Sequence, residues 1–193
     1  MPKTAPLYEI RKSTIQGKGA FALKAIPAGR RITEYLGEII TAEESERRYD
    51  DAAMKRHHTF LFEIEGGMCI DAGPRGSGDA KYINHSCDPN CEAVMEGSRI
   101  FIDAKKDIEK GTELVYDYKY NVQGPIDDET RAMYACHCGS RRCRGTILAP
   151  RRPAKKKTAK KAASKKTADK TVGKTSGKSA SKKKTTGAKK RGA

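Results

Sequence analysis

The 193-residue chain has no run of about 18 apolar residues, so no segment of it reads as a membrane-spanning helix. Its first ten residues, MPKTAPLYEI, lack the apolar stretch of a secretory signal peptide. No internal repeat is visible. Residues 151–193 contain no aromatic side chain, their largest aliphatic is Val172, and Asp169 is the only acid against 18 Lys and Arg. Such a segment cannot bury enough apolar surface to offset chain entropy, so it is expected to be disordered. Residues 1–150 differ: 22 Lys and Arg nearly balance 23 Asp and Glu, and the length suffices for a core. Cysteine is also scarce. Six spread through such a chain suggest a reducing compartment, where thiols bind metal or stay free more often than they pair.

The first 150 residues read as short strands separated by turns. LYEIRKS alternates, QGKGAFAL sets two glycines before an apolar run, and PAGRRITEYLGEII is a Pro-Gly turn leading into a strand. Thr41 followed by Glu44 makes a capping box for a helix through AEESERRYDDAAMKR. FLFEIEGGMCIDA reads as a hairpin around Gly66 and Gly67, and SRIFIDAKKDIEKGTELVYDY as two strands with a turn at Gly111. The expected fold is mostly β with few helices.

Three stretches carry chemistry. CHCGSRRC places Cys136, Cys138 and Cys143 in a C-x-C-x4-C pattern, one thiolate short of a closed tetrahedral zinc site. Cys87 and Cys91 in NHSCDPNC are the obvious donors of a fourth. A structural zinc contributes roughly 10–16 kcal/mol in small modules, so it could order a segment with little core of its own. ELVYDYKY puts Tyr116 and Tyr118 on one side of a strand, and ITEYLGEII adds Tyr35. Half-buried strand tyrosines are common, so these alone do not name a site. The G-x-G of QGKGAFA marks a turn, or a place where backbone approaches a ligand closely.

Taken together, GKGAFA, EYLGEII, YINHSCDPNC, ELVYDYKY and CHCGSRRCRGTIL resemble, in order and spacing, the SET-domain protein lysine methyltransferases. The last stretch resembles their cysteine-rich post-SET segment. The resemblance spans roughly residues 6 to 148. It implies a SET domain over 6–120, a linker over 121–131, a zinc-bound post-SET segment over 132–148 and the Lys-rich tail over 151–193. It further implies a β-clip fold with a pseudoknot, in which the C-terminal segment threads under a loop.

The implied activity is transfer of a methyl group from S-adenosylmethionine to a lysine of a histone or histone-like protein. By family position, Gln16, Lys18 and Gly19 lie along the cofactor, Asn84 and His85 hold it, and His137 closes over the adenine. Phe60 stands where relatives carry a tyrosine that reaches the cofactor. Tyr118, itself against the cofactor, orients the amine and assists its deprotonation. Tyr35 lines the lysine channel, and Tyr116 favours one or two methyl groups over three. Zinc is implied on Cys87, Cys136, Cys138 and Cys143, which leaves Cys91 over. Lys81 replaces an arginine common in relatives, which removes any bidentate contact there.

The tail resembles those of linker histones and bacterial histone-like proteins. It implies non-specific attraction to nucleic acid through counterion release, and chromatin or nucleoid association. The compartment would be a nucleus in a eukaryote or after delivery into a host, and the cytoplasm in a bacterium. The competing reading is a non-catalytic SET-type protein that binds peptide or chromatin and is anchored to DNA by its tail.

Overall fold

The computed structural model describes residues 5–49, 59–122 and 124–150. The Lys-rich stretch 151–193 and the second half of the expected helix lie outside the described residues. Ten short strands and two helices make up the described part, and no helix among these residues is long and apolar enough to cross a membrane.

Three small sheets share the strands. In the first, β1 (Tyr8–Lys12) and β2 (Lys18–Ala22) form the hairpin that the alternating pattern predicts, in register from Tyr8 opposite Ala22 to Lys12 opposite Lys18. The second contains β3 (Arg31–Glu34), β8 (Cys91–Glu96) and β9 (Arg99–Ala104), with β9 in the middle. A central strand packed on both faces reads as a continuous apolar run, and Ile100, Phe101 and Ile102 are all buried. Phe101 is covered by the guanidinium groups of Arg31 and Arg99, 3.9 and 4.8 Å from its ring centre. The third sheet contains β4 (Glu38–Thr41), β5 (Leu61–Ile64) and β6 (Met68–Asp71). Its β5–β6 hairpin turns at Gly66 and Gly67, whose φ values of 77° and 71° disfavour any residue with a Cβ.

The remaining strands, β7 (Asn84–His85) and β10 (Glu113–Tyr116), complete the first sheet in the order β1-β2-β10-β7. β10 runs antiparallel to β2 and parallel to β7. Its outer edge is finished by a side chain. Asn90 accepts from the Val115 amide at 2.8 Å and donates to the Glu113 carbonyl at 2.8 Å, while its own amide donates to the Val115 carbonyl at 3.2 Å. The 84–91 turn thus wraps the strand that carries Tyr116, consistent with the threading that the resemblance implies. β9 and β10, adjacent in sequence, end in different sheets rather than as a hairpin.

PAGRRITEYLGEII, expected as a single strand, divides into β3 and β4 in two sheets. Gly37 sits at the break, where an added Cβ would stand 2.5 Å from the Asp71 carbonyl oxygen and 2.8 Å from Ile70 Cγ2. The helix α1 (Ala42–Arg48) is capped by Thr41, whose hydroxyl accepts from the Glu44 amide at 3.1 Å. Only that half of the capping box forms. The Glu44 carboxylate is held by Arg47 and Arg48 instead. Arg48 also reaches the buried Asp71, which accepts from the Tyr49 hydroxyl and the Gly73 amide as well. Burial alone would raise Asp71, but these donors outweigh it and hold the carboxyl below its usual range.

A second helix, α2 (Asp128–Met133), capped by Asp127, begins in the expected linker and ends two residues inside the expected post-SET segment. After it the chain returns to β10's continuation: Ala149 donates to the Tyr120 carbonyl at 2.8 Å, and Arg144 grips Asp117 through two bonds of 2.8 and 2.9 Å.

Gly37→Ala should destabilise the domain by about 1–3 kcal/mol, because the methyl meets backbone that cannot rotate away. Thermal or urea unfolding would register the loss; an unchanged midpoint would contradict the packing at the junction of the two sheets.

Candidate active site

A cavity of about 290 Å³ opens where the β1–β2 turn, β7 and the cysteine-rich segment meet. Of the cofactor residues expected from sequence, Gln16, Lys18, Phe60, Asn84, His85 and His137 line it. So do Tyr35, Tyr116 and Tyr118. Gly19 does not. It lies in β2, where an added Cβ would meet the Glu113 carboxylate and stand 2.9 Å from Ser13 Cβ.

Asn84 orients its amide with three acceptors. Its Nδ2 faces the Gln16 carbonyl at 3.3 Å, the Lys18 carbonyl at 2.9 Å and the Glu113 carboxylate at 2.8 Å. The His85 ring is also committed within the protein. Nδ1 accepts from the Tyr118 amide at 3.1 Å, so the ring proton belongs on Nε2, 3.4 Å from Cys87 Sγ. Burial pushes the imidazole down to about 4, which keeps it neutral near pH 7. With both ring nitrogens engaged, its backbone is the part left to meet a ligand. Lys81 lines the cavity and donates to the Ala72 carbonyl at 2.8 Å, a single bond where a guanidinium could make two.

A second cavity, of about 330 Å³, lies beyond the tyrosines and is bordered by Phe62, Glu63, Cys69 and Asn121. Leu61, Tyr116, Tyr118 and Tyr120 line both spaces and form the wall between them. Their rings pack in sequence, with Tyr116–Tyr118 centres 4.8 Å apart and Tyr118–Tyr120 centres 5.8 Å apart. Sequence reasoning missed Tyr120, although ELVYDYKY places it on the same face as Tyr116 and Tyr118.

The three expected catalytic hydroxyls differ. That of Tyr35 donates to the Phe60 carbonyl at 2.8 Å, and that of Tyr118 to the Ile83 carbonyl at 3.0 Å. The Tyr116 hydroxyl has no hydrogen-bond partner among the described residues. Burial, the largest influence on all three, raises their pKa well above the usual phenol value. Each is therefore a neutral phenol near pH 7.

Behind His85, the sulfurs of Cys87, Cys136, Cys138 and Cys143 lie within 4.8 Å of one another. Cys87 and Cys136 are 3.7 Å apart, close to the separation of about 3.8 Å that tetrahedral Zn–S bonds of about 2.3 Å require. Backbone amides of Arg144, Cys138 and Gly145 donate to Cys87, Cys136 and Cys143 at 3.3–3.4 Å, which suits thiolates. This set could hold a zinc ion. Cys91 is apart from it, fully buried, with its thiol pushed up to about 12 by burial.

The sequence profile described as "SET domain" matches residues 17–119. Over 147 residues the chain is 35% identical to "Histone-lysine N-methyltransferase ash1" of Drosophila melanogaster, covering 74% of this chain. It is 40% identical over 139 residues to "Histone-lysine N-methyltransferase trr" of the same fly, covering 70% of this chain. It is 41% identical over 143 residues to "Histone-lysine N-methyltransferase, H3 lysine-4 specific" of Emericella nidulans, again covering 70%. The match spans only 6% of the first two relatives and 11% of the third. With more than half its length inside the domain profile and the motif residues gathered around one cavity, the chain belongs to the SET-domain family.

Proposed function

We propose that this protein is an S-adenosylmethionine-dependent protein-lysine N-methyltransferase acting on histones or histone-like proteins. The observation that carries this reading is the wall shared by two cavities, because methyl transfer needs donor and amine to enter separately and meet. The names of the three relatives support the same activity. The non-catalytic alternative gains nothing from this arrangement, since a peptide binder has no need of a second space behind the tyrosines.

The first cavity fits the cofactor, with polar groups at Asn84 and along Gln16–Lys18, the flat Phe60 ring, and His137 at its edge. When bound, S-adenosylmethionine supplies an electrophilic methyl group whose bond to sulfur breaks as the lysine Nζ bonds to carbon. The chain's own residues prepare that amine. A free lysine titrates at about 10.4, so near pH 7 it is almost entirely protonated. Enclosure by Tyr35, Tyr116 and Tyr118 disfavours the charged form by desolvation, so the ammonium passes its proton to solvent water as it enters. The Tyr118 hydroxyl, donating to the Ile83 carbonyl, keeps lone pairs with which to hold an N–H of the amine and aim its free pair. The uncommitted Tyr116 hydroxyl holds a water in the room that further methyl groups would need, favouring mono- and dimethylation.

Zinc on Cys87, Cys136, Cys138 and Cys143 fixes residues 132–148 against the cavity as a post-SET segment. The tail over 151–193 adds sequence-independent attraction to DNA and keeps the enzyme near chromatin or a nucleoid.

The direct test is labelled S-adenosylmethionine with a panel of core histones and histone-like proteins, comparing the full chain, Tyr118→Phe and a chain ending at Pro150. The full chain should label at least one histone. Tyr118→Phe should lose about 100-fold or more of that rate. The shortened chain should retain methylation of a peptide while losing salt-sensitive retention on DNA. No transfer to any protein lysine by the full chain would remove the reading. Tyr116→Phe should shift the products toward di- and trimethyllysine, as resolved by mass spectrometry of a saturated reaction. Metal analysis should find about one zinc per chain. Cys143→Ser or a strong chelator should lower that content and open residues 134–148 to protease.

A further inference from the structure

Glu113 is the first residue of β10 and lines neither cavity, yet it receives an unusual set of contacts. One oxygen, Oε1, accepts from Asn84 Nδ2 at 2.8 Å and from the Ser13 hydroxyl at 2.7 Å. That hydroxyl in turn accepts from the Ile15 amide at 2.9 Å, and the Ser13 amide donates to the Gly17 carbonyl at 2.9 Å. Ile15, Gln16, Gly17 and Lys18 all line the first cavity. A single carboxylate oxygen therefore ties the turn that forms one wall to the amide that forms another.

We propose that Glu113 is a positioning residue that sets the hydrogen-bonding polarity of the cofactor cavity. An amide side chain can face a ligand with either its N–H donors or its oxygen, and the two ends have nearly the same shape. Here the three protein groups facing Asn84 Nδ2 are all acceptors, so the nitrogen must point inward. Its Oδ1 has no protein partner among the described residues, and Asn84 lines the cavity. The site thereby presents an acceptor and selects a ligand group that donates, such as an amino group. Without Glu113, two backbone carbonyls would remain as weaker guides.

The same contact explains Gly19. Its backbone is ordinary β, so no left-handed conformation demands a glycine there. Space does: a Cβ on residue 19 would collide with Glu113 Oε1 and stand 2.9 Å from Ser13 Cβ. Gly19 leaves room for the carboxylate rather than for the cofactor itself, which accounts for its absence from the cavity lining. Its part in the site is indirect.

This inference rests on the first cavity being the S-adenosylmethionine site, and the test separates the two claims. Calorimetry of S-adenosylmethionine binding and steady-state kinetics would be run on the full chain, Glu113→Ala, Glu113→Gln, Gly19→Ala and the Gly19→Ala/Glu113→Ala pair, with thermal midpoints as a folding control. If the full chain binds no S-adenosylmethionine, the functional reading fails first. If it binds, Glu113→Ala should raise Kd and cofactor KM by about tenfold, the scale of one well-placed hydrogen bond. Peptide KM should stay the same and kcat should fall less than cofactor affinity. Glu113→Gln should recover most of the affinity, because its amide oxygen can accept the same two bonds. Gly19→Ala should match Glu113→Ala, and the pair should be no worse than Glu113→Ala alone, since both remove one interaction. Unaltered cofactor affinity in folded Glu113→Ala, or a glutamine variant as impaired as alanine, would overturn the proposal.

Discussion

The organisation of this domain depends on how the chain completes the outer edge of β10. A strand edge that ends inside a protein leaves amides and carbonyls that must find partners, at a cost of about 1–3 kcal/mol for each one that does not. Here the partner is the 84–91 turn, with the side chain of Asn90 standing in for a neighbouring strand. Because the turn must sit at hydrogen-bond distance from β10, everything on it is placed at the same time. Asn84 and His85 arrive beside Tyr116 and Tyr118, and Cys87 arrives facing the cysteines of the last segment. Edge satisfaction, one wall of the first cavity and the fourth member of the cysteine cluster are consequences of one fit between two short pieces of backbone.

Electrostatically, the site works by removing water. Burial dominates at each of the three tyrosines and at His85, and it pushes every one of them toward its neutral form. The polar atoms are then distributed by hydrogen bonding: two phenol protons go to backbone carbonyls, and the imidazole proton faces a sulfur. The exception is the Tyr116 hydroxyl, which is left to whatever occupies the channel. A pocket of fixed, uncharged dipoles next to a charged ligand avoids the desolvation cost of burying further ions.

Much of this could be read in the sequence, and the parts that could not share a cause. The strands of the two hairpins follow from alternation and glycine turns, and the cysteine cluster from close spacing, all local signals. Partnership between strands is not local: β9 and β10 follow one another yet pair elsewhere, and the run through Gly37 divides between two sheets because the Asp71 backbone approaches it closely. The half-formed capping box at Glu44 differs in being local, since Arg47 and Arg48, three and four residues on, hold that carboxylate. Asn90, Asp71 and Glu113 looked like ordinary polar residues because their roles come from groups 22 to 100 positions away. Motif resemblance named residues that, Gly19 apart, line one cavity or join the cysteine cluster behind it. It did not reveal that Gly19 makes room for the Glu113 carboxylate, or that the His85 ring is already spoken for.

The partition made by Leu61, Tyr116, Tyr118 and Tyr120 has one more implication. Because each of these four residues lines both chambers, no substitution at these positions can remodel one chamber alone. On the proposed function, trimming the partition to admit a bulkier acceptor would also loosen the grip on the donor, and a donor analogue with a larger transferable group would press on the acceptor's side. Selectivity for the two reactants would then be mechanically coupled, and a variant altered for one would need re-examination for the other.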